Sequence, residues 1–215
     1  MPKNRTEQAP FEIQAETSQY YSSNYLSPER LSSFGYQIEL SLGLDGYSYA
    51  EVGIGAGFLG TVLTRNNKKY IGIDNHSGLS PDLISVLPYL PIETNSIDVC
   101  MCFQVLEHLP KSMLQSCISE LARISRVGVV LSIPNATKTN KSIKQNLAIQ
   151  IYKIFKFPQR FAPITYPQDE QHFWEIGRGL EIQELINCTA KENLKLKISF
   201  RNKFNLYHHF FVFIK

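Results

Sequence analysis

Three stretches of this 215-residue chain carry reactive side chains at spacings that suit chemistry. The first is Glu-Val-Gly-Ile-Gly-Ala-Gly-Phe-Leu-Gly, residues 51–60. Its glycines permit a tight turn and bring a ligand close to the backbone, and a helix that follows offers unpaired N–H groups. Asp74 lies 19 residues beyond Gly55. At that spacing a strand-end carboxylate can accept hydrogen bonds from ribose hydroxyls. The second stretch holds Glu107 and His108 at a turn into a helix, and the third is His172-Phe-Trp-Glu175. An imidazole beside a carboxylate can take a proton from a hydroxyl near neutral pH.

The glycine stretch parses in two ways. From Gly55 it reads G-x-G-x-x-G, the dinucleotide fingerprint. From Glu51 it reads as an acid followed by G-x-G-x-G, which implies a different nucleoside cofactor. The physics of the loop is common to both, so the loop alone leaves both open.

The elements around these residues alternate. LSPERLSSFGYQIELSL reads as a helix: Ser27 caps it, Pro28 suits its first turn, and Glu29 favours its positive end. Leu31, Phe34, Ile38 and Leu42 recur along it at helical spacing. YSYAEVG is a strand into the glycine loop, FLGTVLTRNN a helix, and KYIGID a strand ending on Asp74, which together make a βαβ unit. NSIDVCMCF and VGVVLSIP are buried strands, with the amphipathic helix LPKSMLQSCISELARIS between them. LEIQELINCTAKEN is a helix, and LKLKISF with LYHHFFVFI forms a hairpin across RNKF. This order predicts an α/β fold: a doubly wound, mostly parallel sheet with helices on both faces and an antiparallel C-terminal hairpin strand. Residues 1–19 are expected to be loosely ordered. Residues 20–215 are expected to form one domain, with 134–177 as a substrate-side insert.

Composition narrows the classes. Hydrophobic residues are 43% and charged residues 19%, as in an ordinary soluble domain. No apolar run reaches the roughly 18–20 residues of a membrane span, and the polar N-terminus has no secretory pattern, so a cytoplasmic location is expected. A net charge of +3 gives no reason to expect a nucleic-acid partner. Cys100, Cys102, Cys117 and Cys188 form no CxxC pair and no cluster with histidines; they read as small buried hydrophobes, and no metal ligand is assigned. The basic segment Lys138–Lys156 is amphipathic. It reads as a solvated helix over the site, or as a contact for an anionic acceptor or a membrane surface.

Residues 87–110, LPYLPIETNSIDVCMCFQVLEHLP, resemble a stretch of class I S-adenosylmethionine-dependent methyltransferases. There a Leu-Pro-aromatic turn leads through Asn-Ser into an Asp-hydrophobic strand and a Leu-Glu-His-Leu turn. YLSPERLSSFGYQIE, DEQHFWEIG and YHHFFVFIK resemble a bacterial branch of the same superfamily, so the likeness runs from about Tyr20 to the end. It implies S-adenosylmethionine as cofactor. The implied cofactor-binding residues are Glu51, Gly53, Gly55 and Gly57 in the loop, with Gly57 serving helix packing, and Asp74 on the ribose. Val86 and Leu87 lie at the adenine, Phe103 and Gln104 at the end of the fourth strand. Tyr20, Tyr21 and Tyr25 would form a lid, and Arg30 would pair with the cofactor carboxylate.

One departure stands out: the acid that relatives carry after the third strand falls on Val86 here, and Asp82 belongs to the strand itself. The expected activity is methyl transfer to a small-molecule or glycan-like acceptor, at oxygen. His172 is the expected base, Glu175 orients it, and His108 is the second candidate. The alternatives are a nicotinamide-dependent oxidoreductase, resting on Gly-Ala-Gly-Phe-Leu-Gly alone, and a non-catalytic S-adenosylmethionine-binding protein.

Overall fold

Ser27 opens the first helix as its residue type suggests. Its hydroxyl accepts the Arg30 N–H at 3.3 Å, and α1 runs Pro28–Leu42. The computed structural model describes residues 13, 16–23, 25–138, 166–167 and 169–215. Most of the basic segment Lys138–Lys156, and much of residues 1–19, therefore lie outside the described residues. A 3-10 turn, Thr17–Tyr21, precedes α1.

The strands are β1 (Ser48–Val52), β2 (Lys69–Asp74), β3 (Leu83–Ile84), β4 (Ile97–Phe103), β5 (Ser125–Pro134), β6 (Glu175–Ile176), β7 (Gly179–Leu180), β8 (Lys195–Arg201) and β9 (His208–Ile214). The further helices are α2 (Phe58–Arg65), α3 (Leu114–Ile124) and α4 (Ile182–Lys191). Seven strands form one sheet in the order β3-β2-β1-β4-β5-β9-β8, and β6 pairs with β7 apart from it. The first five pair in parallel, whereas β9 runs antiparallel to β5 and β8 antiparallel to β9. The mixed Rossmann-like sheet expected from sequence is therefore the observed one. Strand order reverses between β1 and β4, which opens a crevice at their carboxyl ends.

Both faces of the central strands are buried, so their apolar runs are nearly continuous and side-chain alternation divides them between two cores. Ile97, Cys100 and Cys102 of β4 join Cys117, Ile118 and Leu121 of α3 on one side. Val99, Met101 and Phe103 join Leu40 of α1 and Leu63 of α2 on the other. Cys100, Cys102 and Cys117 are buried free thiols, as the sequence suggested, whereas Cys188, expected to be buried too, is only half-buried against the same core. Asp98 joins the strand starts: it accepts N–H bonds from Tyr47 and Ser48 at 2.9 Å and pairs with Arg126 at 2.7 Å. At the far edge β8 carries Lys195 and Lys197, charges that discourage edge pairing.

Two expectations are corrected. Of the apolar positions along α1, Ile38 and Leu42 pack against the core, but Leu31 is 47% exposed and the buried residues are Ser33, Gln37, Leu40 and Ser41. Apolar spacing misled here because Ser33 turns inward, where its hydroxyl accepts from the Asn202 side-chain amide at 3.0 Å. Asp82 lies just before β3, and its carboxylate accepts the Gly72 N–H at 2.7 Å, buttressing β2. No helix among the described residues is long and apolar enough to cross a membrane.

Candidate functional site

The glycine loop leaves β1 at Gly53, whose φ is +83°. A Cβ there would stand 2.2 Å from Val105 Cγ2, so only glycine fits. Asp74 at the end of β2 ties the loop down: its Oδ2 accepts the Ile54 N–H at 3.0 Å and its Oδ1 the His76 N–H at 2.9 Å. Each oxygen keeps a further lone pair for a ligand. Gly57 is the residue before α2, with φ +72° and open space where a Cβ would sit. Its backbone angle, and not the expected helix packing, calls for glycine.

Loop, Asp74 and the end of β4 border a cleft in two lobes that share part of their lining. Val86 and Leu87 line the smaller lobe beside Asp74, Asn75 and His76. Glu51, Gly55, Tyr25, Arg30 and Phe103 line the larger, and Gly53, Asp74 and Gln104 line both. All the residues expected to contact the cofactor except Gly57 thus border one continuous cleft. Phe103 also packs in the core, 6.4 Å from the Phe210 ring. Gln104, with φ +56°, is held by a 3.0 Å bond from its side-chain amide to the Ser132 hydroxyl. Of the three lid tyrosines, Tyr20 and Tyr25 pack edge-on at 5.2 Å, and Arg30 lies 4.2 Å over the Tyr25 ring. Tyr21 points out, 57% exposed.

Glu51 is buried at the foot of the larger lobe and accepts a 2.5 Å bond from the Tyr70 hydroxyl. Burial pushes its carboxyl up to about 8; the Tyr70 bond opposes this and Asp74 adds to it. The folded protein therefore holds a proton that the unfolded chain releases near pH 4.5. The associated stability is complete below about 4.5 and is lost as pH rises through about 8. Glu51→Gln should flatten that fall, gaining on the native chain by on the order of 1.4 kcal/mol per pH unit across the window. Melting curves of both proteins from pH 5 to 8.5 test this, and parallel curves would reject a buried, protonated Glu51. A buried carboxyl with this character suits an arriving ammonium group, which would hold it ionised.

The third stretch folds against the second. The Glu107 carbonyl accepts the Phe173 N–H at 2.8 Å, and the Trp174 indole donates to the Leu109 carbonyl at 2.9 Å. Trp174 is a core residue, 2% exposed, so this part of the insert belongs to the packing of the sheet. The same contacts bring His172 to His108, ring centroids 4.7 Å apart and edge to face. The two histidines are neighbours on the wall of the larger lobe.

His172 Nδ1 lies 2.9 Å from Glu175 Oε1, as expected for an oriented imidazole. Glu175 is fully buried, takes a 2.9 Å bond from Arg178 and accepts the Tyr207 hydroxyl. Burial, and then the bond to Glu175, push the Tyr207 hydroxyl well above the ordinary tyrosine range, so it stays protonated. His208, also on the lobe, is pushed down to about 3 by burial and stays neutral. Glu107 is fully buried, and burial raises its carboxyl to about 8.

Sequence reasoning missed Tyr207, Arg178, Asp169, Asn75 and His76. Tyr207 sits in the hairpin turn after β8, and nothing in its spacing tied it to His172. Asn75 and His76 directly follow Asp74, and that adjacency was a usable signal.

Residues 50–133 match the family model described as a methyltransferase domain. A S-adenosylmethionine-dependent methyltransferase from Archaeoglobus fulgidus superposes with a TM-score of 0.61 at 13% identity, over 93% of this chain and 100% of that one. Magnesium protoporphyrin IX methyltransferase from Synechocystis, with bound S-adenosylhomocysteine, gives 0.55 at 13% identity over 92% of each chain. The 1,6-didemethyltoxoflavin-N1-methyltransferase of Burkholderia thailandensis gives 0.55 at 11% identity, over 95% of this chain and 92% of that one. These likenesses are of fold. None of the curated proteins compared with the chain matches it. Residues 50–133 are thus similar to a methyltransferase domain, and the strand order with its switch-point cleft is that of the methyltransferase fold. Gly60, the third glycine of the dinucleotide parsing, lies inside α2 against Tyr70, where either parsing allows it, and the methyltransferase-domain match covers the whole loop.

Proposed function

We propose that this enzyme methylates a hydroxyl oxygen of a small polar acceptor, of small-molecule or saccharide type. The observation that carries the reading is the single cleft running from Asp74 and Gly53 to the corner of Glu107, His108, His172 and Tyr207. In this reading Asp74 accepts the ribose hydroxyls, and Val86 and Leu87 hold the adenine with their backbone and apolar surface. Glu51 receives the amino group, Arg30 the carboxylate, and Tyr20 with Tyr25 covers them. The cosubstrate supplies a methyl group already activated on a sulfonium. The residues therefore mainly hold the acceptor oxygen in line with it. A C–O bond forms as the C–S bond breaks, its electron pair passing to sulfur, and the hydroxyl proton is lost at the histidine corner. Products are the methyl ether and S-adenosylhomocysteine.

Ser33, Gln37, Asp169 and Gln171 add to the larger lobe polar lining of the kind that a hydroxyl-rich acceptor needs. Residues 20–215 are read as one methyltransferase domain with 134–177 as the substrate-side insert. Support comes from the one sheet whose strands span Ser48 to Ile214. A cytoplasmic setting is supported by the four unpaired cysteines.

S-adenosylmethionine or S-adenosylhomocysteine should raise the melting temperature, by stabilisation of ~2.7 kcal/mol at 100 times the dissociation constant. NAD and NADP should leave it unchanged, and a shift with NAD alone would sink the reading. Turnover across alcohols, sugars and amines then tests the acceptor. Methylation of amines alone would reject transfer to oxygen.

A further inference from the structure

Glu107 poses a problem that methyl transfer alone does not solve. Its side chain is wholly buried on the wall of the larger lobe, and neither carboxyl oxygen has a hydrogen-bond partner among the described residues. A buried, unpaired carboxyl is costly and calls for a counterpart. The side chains beside it are imidazoles. One ligand atom each from Glu107, His108 and His172 can be chosen so that all lie within 4.8 Å of one another.

Both rings are set as ligating histidines are. His172 Nδ1 lies 2.9 Å from Glu175 Oε1, while the other Glu175 oxygen takes the Arg178 bond, which places the ring proton on Nδ1. His108 Nδ1 lies 3.2 Å from the Gln171 carbonyl, which can only accept, so it too carries the proton. Each ring is thereby left with its lone pair on Nε2. A metal-bound imidazole typically donates its other N–H to a carboxylate or a backbone carbonyl in this way. Asp169 adds an oxygen 3.9 Å from His172 Nε2.

We propose that Glu107, His108 and His172 together bind one divalent first-row transition-metal cation, with its remaining positions open to the cleft. Two imidazoles and one carboxylate suit zinc, cobalt, iron or manganese better than magnesium or calcium, which favour all-oxygen shells. Tetrahedral bonds of about 2.0–2.2 Å put ligand atoms roughly 3.4 Å apart, so a separation of 4.8 Å has to close by more than an ångström as the side chains turn onto the ion. A cation in this corner would polarise an acceptor hydroxyl and make its proton easier to lose. That use rests on the methyl-transfer reading above; the binding does not.

The probe is Co²⁺, added to protein stripped with a chelator and followed by visible absorption, with Zn²⁺ calorimetry alongside. One equivalent should bind with ligand-field bands. Glu107→Gln and His172→Ala should each weaken binding by about 10–100-fold or more, at least what loss of an outer-shell partner costs. S-adenosylhomocysteine should still raise the melting temperature of both variants, which shows that they fold. Failure of Co²⁺ to bind the native protein overturns the proposal. So does undiminished binding in both folded variants, because the site would then lie elsewhere. Full methyl transfer by metal-free protein removes the cation from catalysis and leaves the proposed function standing. Failure of S-adenosylhomocysteine to bind metal-free and loaded protein alike sinks the proposed function, while the Co²⁺ titration still decides the site.

Discussion

Replacing His172 with alanine should lower turnover by about 10²–10⁴, the span typical of a group that removes a proton, and leave S-adenosylhomocysteine affinity essentially unchanged. The loss should be large because the ring is held ready. Glu175 fixes its Nδ1 at 2.9 Å, and Arg178 and the Tyr207 hydroxyl in turn fix Glu175. Cofactor affinity should persist because Asp74 and the glycine loop are held by their own backbone bonds. The size of the effect is the same whether the imidazole takes the proton itself or holds a cation that acidifies the hydroxyl. His108→Ala should cost a similar factor, since its ring stands 4.7 Å from His172 on the wall of the same lobe. Single-turnover rates beside calorimetric titration of each variant provide the check. A rate unchanged at both positions would mean that positioning alone carries catalysis. A rate loss matched by a loss of cofactor affinity would mean that the histidines serve the fold.

Asp74→Ala should weaken S-adenosylhomocysteine binding by about 2–4 kcal/mol, roughly 30- to 900-fold in dissociation constant. Two contributions add to this figure. Charge-assisted bonds to the ribose hydroxyls are worth roughly 1.5–3 kcal/mol each before imperfect additivity. The second was not foreseen from sequence: without the carboxylate, the Ile54 and His76 N–H groups lose their acceptor and the loop loses its tie to β2. Asp74→Asn keeps one acceptor oxygen and the side-chain shape, so its loss should be smaller. Calorimetric titration of both variants, with melting curves to confirm folding, separates the two contributions. Unchanged affinity in the alanine variant would remove Asp74 from the site.

Much of the cofactor side was legible because local physics governs it. A strand-end glycine loop, an acid closing the next strand and a capped helix each act over a few residues, and Ser27, Gly53 and Asp74 stand where their types suggest. The same holds for the sheet, where two-sided burial writes itself as the continuous apolar runs of β4 and β5. The face of α1 was misread because a distant side chain decides it: Asn202 draws Ser33 inward against the pull of hydrophobic spacing.

The sequence by itself determined the class of fold and most of the residues that border the cleft at the strand ends, since turns, caps and periodicity are properties of neighbours in the chain. It also marked His172 and Glu175 as a pair, three residues apart and bonded. Only the tertiary structure brought His108 beside His172, stranded Glu107 between them and placed Tyr207 and Arg178 behind. These meetings depend on Trp174 sinking into the core and on the hairpin turn folding over the insert. Packing at that range is set by which surfaces can be buried together, and no spacing along the chain records it.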